Sequence, residues 1–428
     1  MIIRGKALAV SPASHCYRPH AADNLCFLIQ PCLEASQKMD KCLFCDVDLN
    51  PGSEEHIFLS ALGARLVTIR ATCSKCNNAF ASQDTGKIDD ALADAYEHVR
   101  NALQIWTGRN KPPPTIANAG VLEEGTPFDL APGFMPFIRP PKVPSDLQVG
   151  SVLNLTAPNE AEVKRVQSIL HKRKLQADLS NLIFIERKVP SVRLQMKWEG
   201  IKVWRCIAKS AVAGFVMLFG NERARTVIST DVRDSIICGE PAINRFCGWD
   251  FVNRWPTITK IEPHPKCPGA ELSGFEHSLI ITEVGDLTVA FIEIFGGWRF
   301  SVALGPAMGI PFRGVAVNPR SMKPARFVIE GTAPSSYVPR SPESFRTEHS
   351  QLLAANRAAI ERVLAKWSVE SHEENRRRLT QDLMAKLGAA ATDDEQSVII
   401  DEFIRKVATL EQGEAWESAL NLTFGASE

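Results

Sequence analysis

The chain reads as an α+β protein of several domains. A small cysteine-stapled module lies near the N-terminus, a central α+β domain is built on a mainly antiparallel sheet, and the C-terminal region is helical. Three observations predict this. Two C-x2-C pairs, CLFC at 42–45 and CSKC at 73–76, bracket a short stretch. Short alternating runs, NLIFIERKV, SVRLQMKW, SLIITEV and LTVAFIEIFGGWRFSVAL, occupy the middle of the chain. From 342 to 424 the sequence is rich in Ala, Leu, Glu and Arg and reads as several helices.

Bulk composition sets the limits. The 428 residues suffice for two or three domains, and 45% hydrophobic content allows ordinary cores. Lys plus Arg equal Asp plus Glu at 49 each, which excludes a generally basic coat but leaves room for a local basic patch. No run of about 18 apolar residues is present, so no membrane span is expected. The start, MIIRGKALAV, lacks the long apolar core and cleavage site of a secretory signal. Eleven cysteines are too sparse for a disulfide scaffold, and an odd count with two C-x2-C pairs fits metal ligation in a reducing cytoplasm.

In chain order, residues 1–40 are expected to be a loosely ordered extension, with Met39 as the alternative start. Residues 41–114 read as one module. Within it Ile88, Leu92, Ala95, Val99 and Leu103 recur at helical spacing, with Thr85 as a start and Gly108 as a stop. NKPPPTI at 110–116 reads as a stiff linker. Residues 115–340 are expected to form the α+β domain, with a hairpin at Gly285-Asp286 and a buried helix over KVWRCIAKSAVAGFVMLFG, which is apolar nearly all round. Residues 341–428 are the helical region.

Cys42, Cys45, Cys73 and Cys76 can close a tetrahedron around one Zn²⁺. With all four positions filled the metal would be structural, replacing a core that so small a module cannot build. The other cysteines, Cys16, Cys26, Cys32, Cys206, Cys238, Cys247 and Cys267, are scattered and read as packing or bystander residues.

The motif CLFC … SEEHIFLSALGARL … CSKCNN … GKIDDAL resembles the HNH endonucleases of the ββα-metal type, in the bacterial subgroup with a four-cysteine zinc staple. The resemblance covers about residues 41–114. It implies that His56 is the general base and that Glu55 and Asn77 are ligands of a catalytic Mg²⁺ or Mn²⁺, separate from the zinc. A neutral imidazole can take a proton from water, and oxygen ligands suit such an ion. Asn78 is a weaker candidate, for support or capping. The sequence departs from the family pattern twice. Phe58-Leu59 stand where a proline is usual, and Thr68 stands where an asparagine would orient the histidine, so Thr68 or a backbone carbonyl is expected to do so.

For nucleic-acid contacts the sequence offers Arg65 and Arg70 in the zinc loop, and a denser run at 164–174 with Lys164, Arg165, Lys172, Arg173 and Lys174 flanking Val166, Ile169 and Leu170. ENRRRL at 374–379 is a lesser run. A charge run is more often a solvated helix face. His264, Cys267 and His277 fit no ligand spacing. The reading is a cytoplasmic, metal-dependent HNH endonuclease hydrolysing DNA. By analogy of architecture it would be a bacterial antiviral defence effector whose activator is a protein or a nucleotide signal. The alternative is a non-catalytic zinc module that binds nucleic acid or a protein partner. Homo-oligomerisation stays open, because an HNH site cuts one strand.

Overall fold

A computed structural model describes residues 3–6, 40–49, 52–82, 85–121, 127–139, 143, 160–175, 182–186, 198–250, 255–337, 349–389, 392, 395–401 and 403–404. The chain is mixed α and β, and its sheets are antiparallel apart from one pair. The strands are β1 (Ile3–Lys6), β2 (Ser53–His56), β3 (Val67–Thr72), β4 (Ile116–Val121), β5 (Pro127–Ala131), β6 (Met135–Phe137), β7 (Leu182–Glu186), β8 (Cys247–Trp249), β9 (Thr257–Pro263), β10 (His277–Val284), β11 (Leu287–Ile294), β12 (Trp298–Pro306), β13 (Arg313–Val317) and β14 (Arg326–Thr332). The helices are α1 (Ser74–Phe80), α2 (Ile88–Ala95), α3 (Glu97–Ala102), α4 (Glu160–Lys172), α5 (Gly200–Phe219), α6 (Asn221–Val227), α7 (Thr230–Ile237) and α8 (His349–Ala389).

Two compact units emerge. One comprises Cys26–Pro113 and Met196–Lys366, the other Met1–Leu25, Pro114–Gln195 and Trp367–Glu428. One boundary falls inside the proline-rich segment at 110–116, where a linker is expected. The expected single domain 115–340 is divided, because residues 196–340 share a unit with the cysteine module. The physical reason is α5. Its sequence is apolar on every side, so it needs cover all round. It packs on α2, β2 and β3 of the module and also on β8, β10, β11 and β12 of the large sheet. Gly214 lets the helix come close at this crossing, since a Cβ there would run into Leu279 Cδ2 and push that side chain aside.

The large sheet has seven strands in the order β8-β12-β11-β10-β13-β14-β9, antiparallel throughout. The Gly285-Asp286 hairpin joins β10 to β11 as expected, with Val284 opposite Leu287 and Gly285 at φ +63°. Ile280, Val289, Phe291, Phe327 and Ile329 form a buried cluster on the sheet. The single helix expected over 88–103 is two helices, α2 and α3, broken at Tyr96. Tyr96 is fully buried, and its ring meets Trp298 at 5.2 Å and Phe295 at 5.7 Å between centroids. Aromatic packing of that size overrides helical continuity. Thr85 does not cap α2. Lys87 precedes it, and Thr85 Oγ1 donates to Ala79 O at 2.5 Å.

In the second unit β4, β5 and β6 form an antiparallel meander, and β1 pairs with β7 in parallel. Trp367 Nε1 donates to Gly133 O at 2.9 Å. Residues 1–2, 7–39 and 405–428, most of SVRLQMKW, and the side chains of Glu374, Asn375, Arg378 and Leu379 lie outside what is described. No described helix is long and apolar enough to cross a membrane.

Candidate functional site

The four cysteines of the two C-x2-C pairs converge. Their Sγ atoms all lie within 4.8 Å of one another, and Cys45 Sγ is 3.6 Å from Cys73 Sγ. Tetrahedral zinc thiolates require sulfurs about 3.8 Å apart, so the four fit a metal such as zinc. Backbone donors support them: Cys73 N–H points at Cys42 Sγ (3.4 Å) and Cys76 N–H at Cys73 Sγ (3.5 Å). The second bond also starts α1, because Cys73 is the extended residue that caps it. Cys73 is brought down to about 7. Burial acts upward, but the Cys76 N–H and the neighbouring thiols outweigh it.

The segment between the pairs folds as a hairpin of β2 and β3 followed by α1. In its register Glu55 lies opposite Thr68, and His56 opposite Val67. Residues directly opposite share a face, and neighbours along a strand alternate. Glu55 and His56 therefore point to opposite faces. Glu55 points inward and is 1% exposed. Its Oε1 meets Lys209 Nζ at 2.9 Å, and the same nitrogen meets Asp89 Oδ1 at 2.7 Å. Phe80 covers the ammonium, its ring centroid 4.9 Å away. Burial would lower the Lys209 pKa, but the two carboxylates overcome it and raise it, so the ammonium stays charged. Burial first, and then the like charge of Asp89, push the Glu55 carboxyl up against the pull of Lys209.

His56 is half-buried, and its Nδ1 has no hydrogen-bond partner among the described residues. Burial, and next the positive charge of Arg109, hold it down at about 4, while Glu54 and Asp89 act in the opposite sense. The ring is neutral at pH 7. Neither Thr68 nor a carbonyl orients its Nδ1, contrary to expectation. Thr68 shares the Glu55 face, and its Oγ1 accepts from Arg70 N–H at 3.3 Å. Asn77 sits on α1 facing the hairpin. Its Nδ2 donates to Ser53 Oγ (2.7 Å) and Glu54 O (2.8 Å). Asn78, next to it, is exposed.

For a second, catalytic divalent ion the fit is poor in this arrangement. Glu55 Oε2 is a buried oxygen without a partner, which suits an ion, but Oε1 already holds the Lys209 ammonium and the carboxylate is closed to solvent. Among the described residues the four cysteines form the one metal-type cluster of three or more His, Cys, Asp or Glu.

The remaining sequence candidates find varied places. Arg65 is half-buried and donates to Ser321 O (2.7 Å) and Asn110 Oδ1 (2.8 Å). Arg70 is held bidentately by Asp40, at 2.5 and 3.1 Å, so its charge is already matched. On α4, Val166 and Leu170 are buried and Ile169 is half-buried, while Lys164, Arg165 and Lys172 are exposed, as are Arg173 and Lys174 just past its end. That run belongs to the other unit. His277 is fully buried and structural: its Nδ1 accepts from Phe295 N–H (3.0 Å), so Nε2 donates to Leu62 O (3.0 Å). His264 Nδ1 accepts from Lys266 N–H at 3.1 Å.

Sequence reasoning missed Lys209, Asp89 and Arg109. For Lys209 a signal existed: a lysine in the middle of an otherwise apolar helix must find buried counter-charge. Asp89 and Arg109 carried no such signal. Comparison with protein-family models, with curated proteins and with solved structures yields no match.

Proposed function

We propose that residues 41–114 form a zinc-stapled nuclease site of the HNH type, which hydrolyses phosphodiester bonds in DNA with His56 as the general base. One observation supports the reading: the cysteine cluster staples the β2–β3 hairpin that carries His56 to helix α1, whose Asn77 is held against the start of β2. An imidazole that is uncharged at pH 7 can accept a proton from an attacking water. Zinc holds the hairpin and helix in register. The Mg²⁺ or Mn²⁺ that the resemblance implies requires Glu55 to give up Lys209. In this reading the setting is that of a bacterial defence effector.

A second reading is favoured by Glu55 itself. Buried and paired with Lys209, it serves as a structural ion pair, as a non-catalytic zinc module bound to nucleic acid or protein would use it. A nicking assay with supercoiled plasmid and Mg²⁺ or Mn²⁺ decides between them. Cleavage by the wild type and none by His56→Ala, at equal zinc content, supports the nuclease. Identical behaviour of the two proteins supports the second reading.

A further inference from the structure

β9 ends the seven-stranded sheet, so one of its edges is paired, with β14. Among the described residues no strand lies against the other edge. Every residue of β9 except Ile258 is exposed. The register fixes which main-chain groups face outward. Just past the end of β9, His264 N–H donates to Arg326 O at 2.8 Å. From there to Lys260, opposite Glu330, the pairing is regular. Main-chain groups alternate in direction along an antiparallel strand. Glu262 and Lys260 therefore turn theirs toward β14, and Ile261 turns its N–H and C=O outward. Side chains alternate as well. Lys260 and Glu262 share one face, where Lys260 Nζ meets Glu262 Oε1 at 2.8 Å. Ile261 points to the other face, opposite the buried Ile329 at the margin of the apolar cluster, yet it is 38% exposed.

A lysine on an edge strand ordinarily keeps a second edge away. Here the charges do the reverse. Antiparallel pairing of two β9 strands about a two-fold axis at Ile261 sets each Ile261 against the other. Both outward main-chain groups of each are then used, in two hydrogen bonds. The same register sets Lys260 against Glu262 of the second copy, at a non-hydrogen-bonded position where facing side chains come closest. Each lysine then lies between its own Glu262 and that of the second copy, and four charges alternate in sign. Centring the axis on Lys260 or on Glu262 instead would set like charges against each other. Ile261 loses its exposure to its counterpart. Pro263 has no N–H to lend, and the register shift beyond Lys260 bends the strand, so pairing is confined to this short segment.

From this geometry we infer that β9 is a homodimerisation edge, across which two copies of the chain join their large sheets about a two-fold axis at Ile261. The edge is its own complement and the contact closes on itself, so assembly stops at two. The pairing goes beyond the nuclease reading and does not depend on it.

The test is sedimentation velocity of the full chain over a range of protein concentrations. One strand edge is a small interface, so the wild type should pass from monomer to dimer as concentration rises. Lys260→Glu and Glu262→Lys should each weaken dimerisation by about tenfold or more, because each turns both cross-strand contacts into like-charge ones. The double exchange Lys260→Glu/Glu262→Lys restores the alternation and should recover the dimer. An equimolar mixture of the two single variants should form it too, since each then faces its opposite. Both positions are exposed, and thermal melting of each variant checks that the fold is kept. A wild type that stays monomeric at every concentration overturns the inference. So does a dimer that the single exchanges leave unchanged, or one that neither the double exchange nor the mixture recovers. Plasmid nicking is read separately, so the dimer edge and the nuclease can each fall while the other stands.

Discussion

Lys209 Nζ lies 2.9 Å from Glu55 Oε1, a buried ion pair that ties helix α5 to the hairpin of the cysteine module. Both side chains are almost wholly removed from water. A pair of this kind is costly to break from one side, because the remaining charge stays buried. Lys209→Met should therefore destabilise the protein by about 3–5 kcal/mol. Chemical denaturation reads the loss. Adding Glu55→Gln should recover part of it, and strictly additive losses would show that the two residues do not depend on each other.

Zinc content is the next expectation. The purified protein should carry about one zinc per chain. Cys45→Ser should lose it, and a strong chelator should make the 40–80 segment exchange its amide hydrogens faster. Full protection of that segment after zinc removal would mean that the hairpin is held by packing alone.

Acid should weaken the fold through its histidines. Burial holds both His277 and His56 at about 4, against about 6.5 for an unfolded histidine. Their folded values are depressed, so the unfolded chain takes up protons first. The stability this linkage provides is complete above about pH 6.5 and is lost as pH falls from there toward 4. For His277 alone the loss amounts to roughly 3 kcal/mol. His277→Gln can keep one acceptor and one donor but does not titrate in this range. Urea midpoints compared at about pH 7 and about pH 5 should converge in that variant. An undiminished pH dependence would remove His277 from the account.

Packing of α5 against the sheet gives a fourth expectation. Gly214→Ala places a methyl against Leu279, and overpacking of this kind costs about 1–3 kcal/mol. Since α5 also carries Lys209, the variant should lower the melting temperature and loosen the zinc module together. A shift in melting temperature with unchanged zinc affinity would separate the two.

These results show where a sequence can be read and where it cannot. The cysteine pairs were legible because metal ligands come in short fixed spacings that survive without tertiary context. The Gly285-Asp286 hairpin and the buried α5 were legible for the same reason, as local patterns. The break at Tyr96 was not, since it depends on Trp298 and Phe295, which lie some two hundred residues away along the chain. Thr68 was misassigned because sequence offset does not reveal strand register. Pairing with Glu55 turns its side chain away from His56. The partner of Glu55 was out of reach because Lys209 lies beyond the linker, in a stretch assigned to a different domain.

The most direct test of the account is plasmid nicking by the purified full chain with Mg²⁺ or Mn²⁺, beside His56→Ala, with zinc counted in both. The account predicts nicked plasmid from the wild type alone, at about one zinc per chain in each protein. Equal cleavage by both proteins, or none by a zinc-loaded wild type, would contradict it and leave the zinc module as a binding element.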